Sequence, residues 1–460
     1  MYDIIIIGAG TAGIAAYNEA IKYTQNILII NDGPWDTTCA RVGCMPSKVL
    51  IASANRMHDV KHANDLALSI EFKVDTSKVM IRVRELRDHF TRATLKDVNS
   101  WPEEHKLSGH AKFINANTVE VNGHQYQSKS FVLAVGSYPT LDPKLKQQLG
   151  RQLISSDEIF EIPQLPKAIA VIGSGVIAIE LAQAMQRLGV KTTIFARSQK
   201  VGVLTSPELQ TIAQSKLSQE LEFKFKVLPN HYEKINNAVK VHFKEQEQAQ
   251  SIEVDYVLSA TGRTSYLDTL ALENIDLQFK DLKNLPLNHQ SKQLANLPIF
   301  IVGDAAMKNP IQHEAAYAGK SVIQNCLNFP NIQNIPKLPQ LGIVFSQPEM
   351  AIVGESFKSL QDQHIPFITG HVSYEKQGRA LVQAENHGAV EIYIDPQSRQ
   401  ILGAELFCPQ AEHLAHLLAW MIGEKLTIDE VLSKPYYHPT LEEGLRTALK
   451  HARRQLLPHQ

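Results

Sequence analysis

The stretch TTCARVGCMPSK, residues 37–48, contains two of the four cysteines of this 460-residue chain, Cys39 and Cys44. Thiolates serve as nucleophiles, metal ligands or redox groups. Zinc ligand pairs usually lie about two to four residues apart and need a second pair, and neither Cys326 nor Cys408 belongs to one. A disulfide between residues about one and a half helical turns apart requires a local distortion, which suits a catalytic bridge. The sequence therefore favours a redox pair and predicts no metal site.

A redox pair of cysteines needs a neighbouring group that moves a proton, because the thiolate and not the thiol attacks. The C-terminal stretch YYHPTLEEGLRTALKHA offers His438 and Glu443. Histidine titrates near neutral pH, and a carboxylate that orients it raises its basicity. However, Glu443 also completes a capping-box pattern with Thr440, and His438 could be a loop histidine before a turn proline. The spacing leaves both interpretations open.

An internal repeat predicts the elements that position these groups. The stretch DIIIIGAGTAGIAA recurs as AIAVIGSGVIAIEL. Each copy reads as a buried strand, a glycine-rich turn and a helix that packs on the sheet. Such a turn lets a pyrophosphate approach the N-terminus of the helix. Two copies predict two dinucleotide sites, with Gly8, Gly10 and Gly13 in the first and Gly173, Gly175 and Ala178 in the second.

The residue after the second strand of each copy bears on the choice of dinucleotide, since an acid there usually holds the ribose hydroxyls. The first copy has Asn31 and Asp32 at this point. The second has Ala196, followed by Arg197 and then Lys200. A cation suits a 2′-phosphate, so we expect NADP(H) to be slightly favoured over NAD(H), unless Arg197 is only a solvated surface charge.

The bulk composition excludes several classes of protein. With 44% hydrophobic and 20% charged residues, the chain is an ordinary globular protein of about three domains. A net charge of -1 gives no electrostatic footprint for nucleic acid or an anionic membrane. No apolar run reaches the roughly 20 residues of a membrane span, and the opening MYDIIIIGAG lacks a signal-peptide pattern. We therefore expect a cytoplasmic protein with no nucleic-acid or membrane partner.

The motifs together carry a family resemblance that runs essentially end to end. GAGTAG, CARVGCMPSK, LAVGSYP, GSGVIAIE, SATGR, IFIVGDAA and HPTLEE occur in this order. In this set the chain resembles the pyridine nucleotide-disulfide oxidoreductases, the flavoprotein family of dihydrolipoamide dehydrogenase, glutathione reductase and mercuric reductase. The resemblance implies an α/β fold with two Rossmann-like domains, for FAD and NAD(P), and an α+β C-terminal dimerisation domain.

The resemblance also implies roles for the reactive residues. Cys39 would form the mixed disulfide with substrate, and Cys44 would lie against the flavin. Lys48 would lie near the flavin ring. His438 and Glu443 would form an acid–base couple that reaches the disulfide of the other subunit, so a homodimer with shared active sites is implied.

Further residues are implied to bind the cofactors. Glu180 would pair with Lys48 beside the nicotinamide, and Asp304 would meet the ribityl chain of FAD. The full set that we expect to bind cofactor is Gly8, Gly10, Gly13, Asn31, Asp32, Thr38, Lys48, Gly136, Ser137, Gly173, Gly175, Ala178, Glu180, Arg197, Gly262, Arg263, Gly303 and Asp304.

The implied reaction moves electrons between NAD(P)(H) and a small dithiol or disulfide substrate through Cys39, Cys44 and FAD. CMPSK and HPTLEE are closest to dihydrolipoamide dehydrogenase, whereas the second nucleotide unit looks more like mercuric reductase. The chain lacks the C-terminal cysteine pair of mercuric reductase and keeps His438. The alternatives are an NADPH-dependent reductase of another disulfide, a metal ion or a quinone, and a non-catalytic flavin-binding sensor, which would need no acid–base couple.

The chain departs from the family pattern around its first cysteine. The two glycines that usually precede the Thr-Cys pair are replaced by Asp36 and Thr37, and Arg41 replaces a usual asparagine. After SATGR, Ser265-Tyr266 replaces a usual Pro-Asn. These changes put the efficiency of a lipoamide reaction in doubt.

The repeats and markers also predict the domain bounds. We expect an FAD domain at 1–142 and 267–335, an NAD(P) domain at 143–266 and a dimerisation domain at 336–460. The proline-rich NIPKLPQ stretch would be the linker into the last domain. Within it, LGIVFSQPEMAIVG predicts strands, and AEHLAHLLAWMIGEKL predicts an amphipathic helix.

Overall fold

The computed structural model describes residues 1–307 and 310–456. Its helices are α1 (Thr11–Ala20), α2 (Thr38–Arg41), α3 (Cys44–Lys61), α4 (Thr76–Asn99), α5 (Pro143–Leu149), α6 (Val176–Arg187), α7 (Pro207–Leu217), α8 (Gln312–Asn328), α9 (Phe357–Asp362), α10 (Gly378–Val382), α11 (Ala411–Gly423), α12 (Ile428–Leu432) and α13 (Glu443–Leu456). Among these described helices, none combines the length and apolar character needed to cross a bilayer.

The strands are β1 (Tyr2–Ile7), β2 (Ile27–Asn31), β3 (Lys106–Ser108), β4 (Lys112–Asn115), β5 (Thr118–Val121), β6 (His124–Leu133), β7 (Ser137–Pro139), β8 (Leu153–Ile154), β9 (Ala168–Ile172), β10 (Lys191–Ala196), β11 (Glu222–Phe225), β12 (Pro229–Ile235), β13 (Ala238–Glu245), β14 (Gln248–Val254), β15 (Tyr256–Ser259), β16 (Arg263–Ser265), β17 (Ile299–Ile301), β18 (Leu341–Val344), β19 (Glu349–Gly354), β20 (Ile368–Ser373), β21 (Ala389–Ile394) and β22 (Ile401–Cys408).

The chain forms two compact units. Unit 1 comprises Met1–Pro46, Arg82–Thr140 and Gly262–Lys337. Unit 2 comprises Ser47–Ile81, Leu141–Thr261 and Leu338–Gln460. The more detailed division into three domains stays a prediction.

Unit 1 is built on a sheet in the order β3-β2-β1-β6-β5-β4, with β17 also paired to β6. Strand β1 pairs in parallel with both β2 and β6. Along β1, Ile4 and Ile6 belong to one apolar cluster and Ile5 and Ile7 to another. Because successive side chains of a strand point to opposite faces, the IIII run is buried on both sides of the sheet, as the first copy of the repeat predicted.

Unit 2 contains a parallel sheet in the order β11-β10-β9-β15-β8. Strand β9, the glycine turn and α6 form the second copy of the repeat, and β10 pairs in parallel with β9. A separate antiparallel sheet, β12-β13-β14, shares an apolar cluster with this sheet. The strand–turn–helix form of both copies is therefore confirmed.

The C-terminal part of unit 2 is an antiparallel sheet in the order β18-β19-β22-β21-β20. Helices α11, α12 and α13 share its apolar cluster. The strands predicted from LGIVFSQPEMAIVG are β18 and β19, and the predicted amphipathic helix is α11. Helix α13 lies close to β20, because a Cβ added at Gly370 would collide with the Ala448 carbonyl.

Candidate functional site

The two cysteines of the first motif lie on two separate helices. Cys39 is half-buried in α2, and Cys44 is the exposed first residue of α3. Helix α2 begins at Thr38 and ends at Arg41, so the chain is not helical through Val42 and Gly43. This break supplies the local distortion that a bridge between the two sulfurs requires, and the bridge itself stays a prediction.

The other two cysteines are enclosed in apolar cores. Cys326 lies in α8 and Cys408 ends β22, and both are buried. Burial raises the pKa of both thiols far above the ordinary value, so neither is poised to form a thiolate. Their environment agrees with the interpretation of inert core residues.

The unusual residues before the first cysteine form a defined local structure. Thr37 has a φ of 64°, a conformation that favours glycine, and its side chain accepts a hydrogen bond from the Ala40 N–H at 3.3 Å. Asp36 is buried, and its Oδ1 accepts from Arg41 Nε at 3.1 Å. Two of the departures from the family pattern, Asp36 and Arg41, are thus partners of each other.

The glycines of the first repeat copy shape a tight turn before α1. Gly8 has a φ of 103°, and a Cβ there would collide with the Ala134 carbonyl. A Cβ on Gly13 would collide with the Gly8 carbonyl, whereas one on Gly10 meets no atom of the described chain within 4 Å. Within the described residues, no side chain caps α1 and no acid lies in its first turn. The turn leaves the helix N-terminus open to an anion.

Asn31 and Asp32, at the end of β2, both contact polar groups of the protein. Asn31 accepts from the Ala9 N–H at 2.9 Å through Oδ1 and donates to the Gly33 carbonyl at 3.0 Å. Asp32 lies 2.8 Å from Nδ1 of His110. The Asn31 amide therefore ties the end of the strand to the glycine turn, Asp32 is the more exposed of the two, and contact of either with a ribose stays a prediction.

Three other residues that we expected to bind cofactor, Ser137, Arg263 and Asp304, meet in unit 1. Ser137 donates to Asp304 Oδ2 at 3.2 Å, and Arg263 donates to the Ser137 side chain at 2.8 Å and to its carbonyl at 2.6 Å. The preceding glycines all have positive φ: Gly136 (71°), Gly262 (128°) and Gly303 (65°). The structure thus brings Ser137 into contact with two residues that lie 126 and 167 positions later in the chain.

Lys48 and Glu180 form an ion pair in unit 2. Lys48 Nζ donates to Glu180 Oε2 at 2.8 Å, and the Glu180 side chain is only 4% exposed. The other oxygen, Oε1, accepts from the Phe345 N–H at 2.9 Å, and the Phe345 ring lies 4.5 Å from Lys48 Nζ. Sequence reasoning missed Phe345, because an aromatic residue after an apolar strand carries no signal of such a contact.

The second glycine turn repeats the geometry of the first. Gly173 has a φ of 123°, and a Cβ there would collide with the Ala260 carbonyl. A Cβ on Gly175 meets nothing within 4 Å among the described atoms, and Ala178 is fully buried. Over the part of the chain described, α6 has no side-chain cap and no acid in its first turn. This turn also offers an open N-terminus to a pyrophosphate.

A basic depression lies beside the end of β10. Its described lining includes Arg197, Lys200 and Lys226 but no carboxylate. The side chain of Ser174, in the glycine turn, donates to the Lys200 carbonyl at 2.6 Å. The depression is therefore tied to the glycine turn and carries positive charge, and binding of a 2′-phosphate there stays a prediction.

His438 and Glu443 are in direct contact. Nδ1 of His438 lies 2.9 and 3.1 Å from the two oxygens of Glu443, and the His438 side chain is 79% exposed. Glu443 also accepts from the Thr440 N–H at 3.2 Å, which is half of a capping box at the start of α13. The hydrogen bond from the Thr440 N–H lowers the pKa of Glu443 the most, and the hydrogen bond with His438 lowers it further. Glu443 thus makes both the capping contact and the contact with His438, and the acid–base role of the pair stays a prediction.

Comparisons with known proteins identify the family. A model of the pyridine nucleotide-disulphide oxidoreductases matches residues 2–319, and one of the dimerisation domain of these enzymes matches residues 341–449. The chain belongs to the pyridine nucleotide-disulphide oxidoreductase family. The expected fold class, two dinucleotide-binding domains and a C-terminal dimerisation domain, is confirmed, and the last of these supports a homodimer.

Curated relatives carry two different names. The chain is 28% identical to dihydrolipoyl dehydrogenase of Mycoplasma pneumoniae, over 98% of each chain. It is 27% identical to mercuric reductase of Staphylococcus aureus, over 97% of this chain and 82% of that protein. Among solved structures, LpdA from Mycobacterium tuberculosis superimposes with a TM-score of 0.83 at 19% identity, over 98% of this chain and 99% of that one. These similarities support an FAD-dependent oxidoreductase that uses a pyridine nucleotide.

The residues of unit 1 fit the FAD that the family requires. The open N-terminus of α1 and the crowded glycine turn suit a pyrophosphate, and Ser137, Arg263 and Asp304 form a cluster of polar groups in the same unit. When bound, FAD carries two electrons between a thiol pair and a nicotinamide.

Proposed function

We propose that this chain is a dihydrolipoamide dehydrogenase-like dithiol/disulfide oxidoreductase that works through Cys39 and Cys44. The contact between His438 and Glu443 carries the proposal, because an electron carrier without thiol chemistry needs no oriented imidazole. The Glu443 carboxylate is hydrogen-bonded to Nδ1 of His438. Nε2 is therefore the nitrogen that remains for a substrate proton.

The proposed thiol chemistry starts from a Cys39–Cys44 disulfide and a dithiol substrate. Nε2 of His438 takes a proton from one substrate thiol, and the resulting thiolate forms a bond to Cys39 Sγ. The Cys39–Cys44 bond breaks, and Cys44 leaves as a thiolate. The second substrate thiol then displaces Cys39, which completes the substrate disulfide. In total the substrate loses two electrons and two protons, NAD(P)+ gains two electrons and one proton, and the second proton leaves to solvent.

The test of this proposal is a panel of substrates on the wild type and on His438→Ala. We expect turnover of dihydrolipoamide that falls on the order of 100-fold or more in the variant, since general acid–base catalysis contributes about that much. Reduction of an artificial one-electron acceptor by NAD(P)H should survive, because it bypasses the thiols. Fast lipoamide turnover in His438→Ala would contradict the proposal.

The second candidate function is an NADPH-dependent reductase of another disulfide, a metal ion or a quinone. The basic depression at Arg197 and Lys200 and the similarity to a mercuric reductase favour it. Under this alternative, oxidant reduction would survive His438→Ala and lipoamide would be a poor substrate of the wild type. The same substrate panel therefore separates the two functions.

The nucleotide preference is a separate part of the proposal. Arg197 and Lys200 favour NADPH through its 2′-phosphate, and hydrogen bonds to charged groups contribute about 1.5–3 kcal/mol. We expect Arg197→Ala to lower kcat/KM for NADPH about 10-fold or more and to leave the value for NADH nearly unchanged. Lys240→Ala, on strand β13 and outside the depression, is the control. An equal loss with both nucleotides would refute a contact with the 2′-phosphate.

A further inference from the structure

Two side chains, those of Gln377 and Tyr374, donate hydrogen bonds to the loop between His438 and Glu443. Gln377 Nε2 donates to the Thr440 carbonyl at 2.7 Å, and the Tyr374 hydroxyl donates to the Leu441 carbonyl at 2.9 Å. Both carbonyls lie between the two residues of the acid–base couple. Neither Tyr374 nor Gln377 belongs to a motif that sequence reasoning identified.

Only one orientation of the Gln377 side-chain amide allows both of its hydrogen bonds. Its Oε1 accepts from the Ala380 N–H at 2.7 Å and thereby caps α10, while Nε2 donates to the Thr440 carbonyl. Exchanging the two ends of the amide would place a donor against the N–H and an acceptor against the carbonyl. The Gln377 side chain therefore links the N-terminus of α10 directly to the Thr440 carbonyl.

Tyr374 fixes the other side of the loop. It lies between β20 and α10 in the chain, and its side chain is fully buried. A Cβ added at Gly444 would collide with the Tyr374 hydroxyl and ring, so the start of α13 lies directly against the phenol. The hydroxyl can therefore reach the Leu441 carbonyl only while α13 keeps this close approach.

Thr440 connects these contacts to the acid–base couple. Its carbonyl accepts from Gln377, and its N–H donates to the Glu443 carboxylate that holds His438. The His438 side chain is largely exposed, so few other contacts restrain it. We propose that Gln377 and Tyr374 are positioning residues that hold the His438–Glu443 couple in its catalytic geometry. The catalytic part of this inference rests on the proposed function.

The variants Gln377→Glu and Tyr374→Phe test the proposal. Gln377→Glu keeps an acceptor for the Ala380 N–H but replaces the donor that faces Thr440. Tyr374→Phe removes only the hydroxyl. Ser356→Ala is the matched control, because Ser356 caps α9 through the Ser359 N–H at 3.1 Å and lies outside the loop contacts. All variants are prepared as the full chain loaded with FAD.

The first measurement is hydrogen exchange of the backbone between residues 437 and 445, which does not depend on activity. We expect exchange there to become at least 10-fold faster in both variants and to stay as in the wild type in Ser356→Ala. Unchanged exchange in both variants would overturn the inference. This measurement decides the positioning of the loop even if His438 proves not to be catalytic.

The second measurement is the kinetics of disulfide turnover, with His438→Ala as the reference. We expect kcat to fall about 10-fold or more with KM nearly unchanged, a shifted acid limb of the pH profile, and normal reduction of an artificial acceptor by NAD(P)H. If His438→Ala is inactive but both positioning variants keep wild-type kcat, the inference fails while the proposed function stands. If His438→Ala is fully active, the proposed function fails and the catalytic part of the inference with it.

Discussion

The Arg41 guanidinium donates to the Asp36 carboxylate at 3.1 Å, across the turn of helix that contains Cys39. Each residue replaces a smaller, uncharged residue of the family pattern, and together they form one contact. The pair is partly exposed, with the Arg41 side chain at 36% and that of Asp36 at 12%. The turn that contains Cys39 is therefore flanked by an ion pair, at positions where the family pattern has a glycine and an asparagine.

This pair should make a small, measurable contribution to stability. We expect a double-mutant cycle of Asp36→Asn and Arg41→Asn to give a coupling free energy of about 1 kcal/mol or less, because solvent reaches the partly exposed Arg41 and screens the pair. The coupling should shrink as salt is added. Urea unfolding at low and high ionic strength measures it, and strictly additive single effects would show that the contact contributes nothing.

Thr37→Gly should stabilise the protein. The φ of 64° and ψ of 140° at Thr37 form a sparsely populated conformation that costs an L-residue about 1–3 kcal/mol, whereas exchanging threonine for glycine at a helix cap loses only a few tenths. The net gain in the free energy of unfolding should be about 1 kcal/mol, read as a higher midpoint of urea unfolding. Thr427→Gly, at a capping threonine in the extended conformation, is the control and should not gain.

Glu180→Gln should slow the reduction of the enzyme by NAD(P)H. The change keeps an acceptor for the Phe345 N–H but removes the charge that holds Lys48. Because a hydrogen bond between charged groups contributes about 1.5–3 kcal/mol, we expect a decrease of about 10-fold or more in stopped-flow rate. Glu222→Gln, in the partly exposed pair with Lys224, is the control. A rate within twofold of the wild type would contradict a role for this pair.

Glu349 should make stability fall as the pH rises. Burial raises the pKa of its carboxyl from 4.5 to about 7, with further contributions from Glu412 and Glu385. Between these pH values the unfolded chain binds fewer protons than the folded chain, so the free energy of unfolding decreases with increasing pH. Glu349→Gln keeps the acceptor for the Glu412 N–H, which lies 2.8 Å from the carboxyl, and removes the titration.

The variant should therefore gain stability over the wild type between pH 4.5 and pH 7, by up to about 3 kcal/mol. Thermal unfolding across this range measures the difference. Glu424→Gln, at an exposed glutamate, is the control and should follow the wild type. A constant difference between Glu349→Gln and the wild type at every pH would show that this carboxyl does not titrate in the window.

Arg187→Met should be strongly destabilising. The Arg187 side chain is 1% exposed, lies 2.7 Å from Glu220 and donates to Asn55 at 2.8 Å. Breaking a buried ion pair by removing one partner costs about 3–5 kcal/mol. Arg399→Met, at a surface pair with Asp429, should cost about 1 kcal/mol or less. Urea unfolding of both variants checks the contrast, and equal losses would refute the importance of burial.

Local patterns in the sequence were sufficient to predict the two repeated units and the residue types of the candidate site. The runs IIII and IAVI, each followed by glycines, predicted the two parallel strands and their turns, since periodicity and turn chemistry are local properties. The spacing of His438 and Glu443 also allowed their contact. Spacing alone could not decide whether Glu443 caps α13 or contacts His438, and the structure contains both contacts.

The sequence by itself determined the family, the two dinucleotide units and the candidate reactive residues. Only the tertiary structure decided that Asp36 pairs with Arg41, that Phe345 contacts both Lys48 and Glu180, and that Gln377 binds the Thr440 carbonyl 63 positions away. The reason is physical. Two of these contacts use a backbone group, the Phe345 N–H and the Thr440 C=O, which nearly every residue type presents, so their partners are set by how the elements pack and not by any pattern of side chains.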